Sequence, residues 1–270
     1  LCYDRFGNVR RKVQDTGSTS LVVLYRYNTA SRLISMTYPS GLVVDYGRDS
    51  FGRVSSVSAS RGAFNLPLVT AVSYLPFGPI NTITFGTGAL TKTWDQNYWP
   101  DAVNSAAIDY DFSTDLAGNI TTIASSNDGT QGLHYDRLNR LDEVRDQNAA
   151  LIEKFTYNDT GDRQTQQIGN GSPVAYSYAP GTHRLAAVGS SARTYDDNGN
   201  TLKGHLPNIG PSEMVASYDQ RNRLSGFEEV IGTNQTSPWW AWDYNGRGER
   251  VGSRFVGAST GFVPPPAYFL

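Results

Sequence analysis

The 270-residue sequence has one cysteine, Cys2. A lone cysteine excludes an intrachain disulfide framework and any cysteine-based zinc site. Its three histidines, His134, His183 and His205, are scattered without ligand spacing, so no metal site is assigned. No apolar run is long enough for a membrane-spanning helix. Charged residues make up 18 % and the net charge is −2, which leaves no electrostatic footprint for nucleic acid. The longest basic run, Arg10-Arg11-Lys12, reads as a solvated strand or turn. Helical periodicity with caps is missing, apart from a weak short pattern over 102–107. There is no Gly-x-Ser-x-Gly elbow and no phosphate-binding glycine loop. The adjacent carboxylates Asp196-Asp197 and Glu228-Glu229 would point to opposite faces of a strand, so neither pair converges. No catalytic residue and no cofactor is expected.

What the chain has instead is tyrosine, 16 of them, with 27 glycines and 13 prolines. Tyrosine, valine and threonine suit a pleated surface, and glycine punctuates it. The stretch LHYDRLNRLDEV at 133–144 returns nearly unchanged as ASYDQRNRLSGF at 216–227. Aligning all such dipeptides gives twelve anchors: Tyr3, Tyr27, Arg48, Tyr74, Trp94, Thr114, Tyr135, Tyr157, Tyr178, Tyr195, Tyr218 and Tyr244. Their mean spacing is about 22 residues, inside the range of repeat architectures. One residue after the anchor stands Asp or Asn in ten of the twelve, among them Asp4, Asp49, Asp115, Asp136, Asp196 and Asp219. Four residues after it stands Gly7, Gly52, Gly78, Gly118, Asn139, Gly161, Gly199, Asn222 or Gly248, nine of the twelve.

That spacing is the preference of a type I turn followed by a residue at positive φ. The Asp or Asn side chain accepts bonds from nearby backbone N–H groups. Glycine takes positive φ freely and asparagine tolerates it. Each Tyr-Asp-x-x-Gly therefore reads as strand end, tight turn, strand start. Asn139 and Asn222 should have positive φ. Tyr98 holds the same place, and there the turn is expected to differ. The flanks alternate as strands do: Leu21, Val23, Tyr25 and Tyr27 share a face, as do Leu151, Phe155 and Tyr157. Return turns come from SNDGTQG and GNGSP. The expected fold is all-β, an array of consecutive hairpins in a long, curled antiparallel sheet, with the tyrosines stacked as a ladder.

At these residues the chain resembles the Rhs, or YD-repeat, family. The strongest copies are YDRFGNV, RDSFGRV, YDRLNRL, YDDNGNT and YDQRNRL, and the resemblance covers essentially the whole chain. It implies a spiralling β-sheet that closes as a hollow shell. In bacterial members and insecticidal toxin complexes that shell holds a C-terminal toxin segment until delivery. In the animal teneurins a similar barrel belongs to an adhesion ectodomain. The resemblance thus implies a secreted or cell-surface protein delivered by a bacterial secretion system. Its implied partners are the rest of its own shell and an encapsulated C-terminal effector. A second reading is an extracellular module binding carbohydrate or protein. The family's DPxG-like self-cleavage motif is not found here, so no cleavage site or toxin domain is assigned. The chain opens within a motif and ends on PPPAYFL, the lead-in to a further Tyr-Asp. Residues 1–270 are thus expected to be a single array, a fragment of a longer chain.

Within PWWAWDY, residues 238–244, Trp240 and Trp242 share a strand face and are candidate ligand contacts for a sugar or cargo. Packing on the neighbouring strand is the simpler explanation. The loop DDNGN at 196–200 starts like a calcium loop, but its sixth and twelfth places hold Thr201 and Pro207, so turn formation accounts for its acids. Sequons at Asn158 and Asn234 matter only in a secreted eukaryotic protein.

Overall fold

The computed structural model of the chain describes residues 1–15, 20–205, 212–231, 235–236, 239–256 and 267–268. Every regular element among them is a β-strand, and the all-β reading holds. The short pattern at 102–107 is not helical. Residues Pro100–Asn104 form a strand, and Ser105 ends it with a local turn. The Ser105 hydroxyl accepts the N–H groups of Ala107 and Ile108, each at 3.1 Å. Serine competes with helix in this way by offering the backbone a nearby side-chain partner.

The chain divides into two compact units, Leu1–Ile152 and Glu153–Leu270. In the first, each strand pairs antiparallel with the next along the chain, from Cys2–Tyr3 through to Leu141–Asp146. The strand Leu151–Tyr157, most of it in the second unit, begins a run of consecutive antiparallel pairs that ends at Ser191–Ala192. A further series runs from Thr194–Tyr195 to Ala267–Tyr268. Hairpins joined by short loops impose such nearest-neighbour pairing.

The alternating faces give the core. Val23 is 1 % exposed, and Phe155 and Val144 are buried. Several buried positions hold alanine (Ala59, Ala102, Ala216 and Ala241). Large apolar side chains also face solvent. On the strand Phe64–Tyr74 the alternate residues Phe64, Leu66 and Leu68 are 57 %, 45 % and 40 % exposed. Period-two alternation places them on one face.

Every anchor sits at the last residue of its strand, opposite a residue just past the turn. Tyr135 faces Leu141, Trp94 faces Pro100, Arg48 faces Val54, Thr114 faces Ile120 and Tyr244 faces Arg250. The register shifts at that point in each pair, the mark of a bulge. Tyr3, Tyr27, Tyr74, Tyr157, Tyr178, Tyr195 and Tyr218 share the geometry.

Candidate functional site

The chemically organised part of the molecule is the row of turns. In eleven of the twelve the first residue after the anchor donates its N–H to the carbonyl four residues on, and the N–H of the fourth residue after the anchor returns to its carbonyl. For the turn after Tyr135 these are Asp136 N–H to Arg140 at 2.9 Å and Asn139 N–H to Asp136 at 3.0 Å. The carboxylate then closes the loop: Asp136 Oδ1 accepts the N–H groups of Leu138 and Arg140 at 2.8 and 3.0 Å. The same pair of bonds is made by Asp4, Asn28, Asp49, Asp95, Asp115, Asn158, Asp196, Asp219 and Asn245.

The left-handed residue is universal, but its identity is not. Gly7, Gly52, Gly78, Gly118, Gly161, Gly199 and Gly248 have positive φ. So do Asn139 at 58° and Asn222 at 59°, as expected, and also Ser31 at 57°. Tyr98 corrects the expectation made for it. Its φ is 63°, and its turn makes the same bonds as the others, with Tyr98 N–H to Asp95 at 3.1 Å. The hydrogen-bonded frame and the Asp95 clasp together hold a residue that dislikes this region. The turn that does differ follows Tyr178. It is one residue longer, with Gly181 at 71° and Ala179 N–H reaching Arg184.

Two return turns share this chemistry without an anchor. Asp146 Oδ1 clasps the N–H groups of Asn148 and Ala150, and Ala149 has φ 63°. Tyr38 N–H bonds Leu42, with Gly41 at 79°. Sequence reading missed both, because no tyrosine precedes either at the anchor place. The signal available was Asp146 itself, followed by two small polar residues.

The anchors form a ladder through their polar tips. The Tyr74 hydroxyl donates to the Val54 carbonyl at 2.7 Å, Tyr135 to Ile120 at 2.8 Å, Tyr178 to Arg163 at 2.9 Å, Tyr195 to Leu185 at 2.6 Å and Tyr244 to Leu224 at 2.7 Å. Each acceptor is the bulge residue of the preceding hairpin, where the strand ladder is interrupted. Trp94 replaces the hydroxyl with its indole N–H, 3.1 Å from Ile80. Arg48 does so with its guanidinium, Nε lying 3.0 Å from the Leu33 carbonyl. Three side chains of different chemistry thus fill one donor position. Burial, reinforced by the charge of Asp115, pushes the Tyr135 hydroxyl above its ordinary pKa.

A position that sequence reading overlooked completes the turn. The fifth residue after the anchor faces the free carboxylate oxygen. Asn8, Asn119 and Asn200 donate amides to Asp4, Asp115 and Asp196 at 3.0, 2.9 and 2.8 Å. Arg53, Arg140 and Arg223 donate Nε to Asp49, Asp136 and Asp219, all at 2.7 Å. Where the first residue is asparagine the roles reverse: Asn158 donates to Asp162 at 2.9 Å and Asn245 to Glu249 at 2.7 Å. The recurrence of Asn, Arg or acid at this place was the signal. Arg53 and Arg223 also lie over the next anchors, 4.2 Å from the Tyr74 ring and 4.5 Å from Tyr244. The Arg223 bond, with the N–H groups of Arg223 and Arg221, holds Asp219 down to about 2. The hydroxyls of Ser126 and Ser125 likewise hold Asp109 down to about 2. Asp196 has both oxygens engaged within its own turn.

The remaining candidates are placed as follows. Trp240 is 40 % exposed and meets Phe255 edge-on, ring centroids 5.2 Å apart, while Trp242 lies on the same strand and is half-buried. The cleft beside the neighbouring turns is lined by Asp219, Arg221, Arg223, Tyr244, Asn245 and Gly246, not by the tryptophans. His183 pairs with Asp162 at 2.7 Å and His134 with Asp142 at 2.6 Å. Asn158 spends its amide inside its turn, and Asn234 lies outside the described residues. Among the described residues no group of three His, Cys, Asp or Glu side chains is placed to hold a metal.

Comparison with known proteins agrees with this geometry. Residues 27–63 match the RHS repeat family model. No curated protein matches the chain. Among solved structures, the Tc holotoxin pore of Photorhabdus luminescens is similar at 12 % identity and a TM-score of 0.73, over 92 % of this chain and 15 % of that one. The crystal structure of TcdB2-TccC3 is similar at 10 % identity and a TM-score of 0.62, over 94 % of this chain and 17 % of that one. This chain therefore spans only a small part of the structures it matches. The RHS match at residues 27–63, the turn chemistry that recurs from Tyr3 to Gly248 and the fold shared with the Tc structures make this chain similar to the Rhs, or YD-repeat, proteins.

Proposed function

We propose that the chain is a wall segment of an Rhs-type shell, a single array of about twelve repeats within a longer protein. The shell encloses a C-terminal effector for delivery to other cells. The observation that carries the reading is the fold, shared over 92 % of this chain with the Tc holotoxin pore structure at a TM-score of 0.73. The apolar row Phe64, Leu66 and Leu68 supports it, since a wall that borders a cargo needs a contact face. The segment's part is structural, not catalytic. Its partners are the rest of its own wall and the enclosed effector, and the whole is secreted or displayed at the cell surface. Protease protection tests this. The complete protein should shield its C-terminal segment from a protease that digests the same segment when free. Equal digestion of both forms would overturn the proposal.

A second reading, a glycan- or protein-binding module, rests on the exposure of Trp240. Saturable binding on a glycan array, abolished by Trp240→Ala, would favour it.

A further inference from the structure

The fifth residue of one turn and the fourth residue of the next vary together. Where the fifth is asparagine, the following fourth is a polar residue that accepts its amide. Asn8 donates to Ser31 Oγ at 3.0 Å, Asn119 to Asn139 Oδ1 at 3.0 Å, and Asn200 to Asn222 Oδ1 at 3.1 Å. Where the fifth is arginine or tryptophan, the following fourth is glycine. The sequence pairs are Arg32 with Gly52, Arg53 with Gly78, Trp99 with Gly118, Arg140 with Gly161 and Arg223 with Gly248, and Arg184, the sixth residue in the longer turn after Tyr178, stands before Gly199 in the same way.

The reason is steric in three of those six. A Cβ added at Gly52 would fall 0.8 Å from Arg32 Nη1, and one at Gly118 3.0 Å from the Trp99 ring. At Gly199 the nearest atom would be Arg184 Nη2, a tight 3.3 Å, whereas at Gly248 a Cβ would meet Arg223 Nη1 at 3.5 Å, an ordinary contact that only a longer side chain would crowd. Two of the arginines also use the backbone of the next turn. Arg32 Nη1 reaches the Phe51 carbonyl at 2.5 Å, and Arg223 Nη1 the Asn245 carbonyl at 3.3 Å. Asparagine is shorter and needs a side chain to come to it. Positive φ is required either way, so conformation alone would select glycine everywhere. Asn139 and Asn222 depart from glycine because Asn119 and Asn200 precede them.

We propose that these pairs are a matching code that fixes which hairpin stacks on which. An array of near-identical hairpins has an intrinsic hazard: one can loop out while its neighbours pair with each other. The code penalises such skips. Omitting the hairpin of Ser31 would set Asn8 against Gly52 and lose its acceptor. Omitting that of Gly118 would press Trp99 onto Asn139. Omitting that of Gly199 would press Arg184 onto Asn222. Where such a pair is present it distinguishes the correct neighbour, although the strands and turns are interchangeable. The code does not depend on what the array encloses.

Two double-mutant cycles in the full chain test it. The first takes Asn119→Arg, Asn139→Gly and both. The second takes Arg223→Asn, Gly248→Asn and both. Thermal melting of each gives the readout, with hydrogen exchange at the two turns as a local measure. In each cycle the double variant should lose less melting temperature than the sum of its singles. Asn119→Arg should also be rescued by Asn139→Gly. If Asn119→Arg alone does not fold, folding of the double variant supports the code, and failure of both overturns it. Additive losses in both cycles would also overturn it.

Discussion

Removing one hydroxyl from the anchor ladder tests whether the tyrosines join neighbouring hairpins or merely pack. In Tyr135→Phe the ring stays and only the bond to the Ile120 carbonyl, 2.8 Å long, is lost. A net protein hydrogen bond contributes about 1 kcal/mol, and an acceptor left unsatisfied in a part-buried site raises the loss toward 2 kcal/mol. The acceptor lies at a bulge, where the strand register shifts, so the neighbouring strand offers no ready replacement. For a unit the size of Leu1–Ile152, each 1 kcal/mol lowers the melting temperature by about 2–4 °C. Calorimetry should thus show Tyr135→Phe melting about 2–4 °C or more below the parent. Tyr3→Phe is the control, since Tyr3 is 53 % exposed at the first hairpin and should be nearly silent. Hydrogen exchange should quicken around Ile120–Ala124 and Gln131–Tyr135 in the first variant only. Equal losses in both variants, or none in Tyr135→Phe, would refute the ladder as a source of stability.

Other outcomes follow from the turns. Because the carboxyls of Asp219 and Asp109 are held down to about 2 in the folded chain, their stabilisation is full above about pH 4 and is lost as pH falls toward 2; urea midpoints across pH 5 to 2 check this, and a flat profile would contradict it. Tyr135 and Tyr178 titrate above their ordinary value because of burial, so stability should fall as pH rises beyond about 10, read by far-ultraviolet circular dichroism. Ala149 sits at φ 63°, and Ala149→Gly should raise stability by up to about 1 kcal/mol in denaturant titration by relieving the left-handed strain. Gly52→Ala should lower it by about 1–2 kcal/mol, because the new Cβ meets φ +80° and displaces Arg32 from the Phe51 carbonyl.

What the sequence determined by itself is local. Tyr-Asp-x-x-Gly sets a turn through bonds between residues no more than four apart, so its chemistry is legible wherever the letters recur. The same applies to strand alternation at Leu21–Tyr27, which buried Val23. Asn139 and Asn222 could be assigned positive φ for this reason, and Tyr98 could not, because a hydrogen-bonded frame overrides its preference. What only the tertiary structure decided lies between hairpins. The bond from Tyr135 to Ile120 crosses 15 residues, and that from Asn119 to Asn139 crosses 20. Whether Arg48 can stand in for a tyrosine depends on a carbonyl in the preceding hairpin, not on its own neighbours in sequence. The fifth residue of the turn looked like an ordinary strand start until the next turn came to lie beside it. The reason is that a turn is specified by its own backbone, whereas the match between turns exists only once the strands have paired.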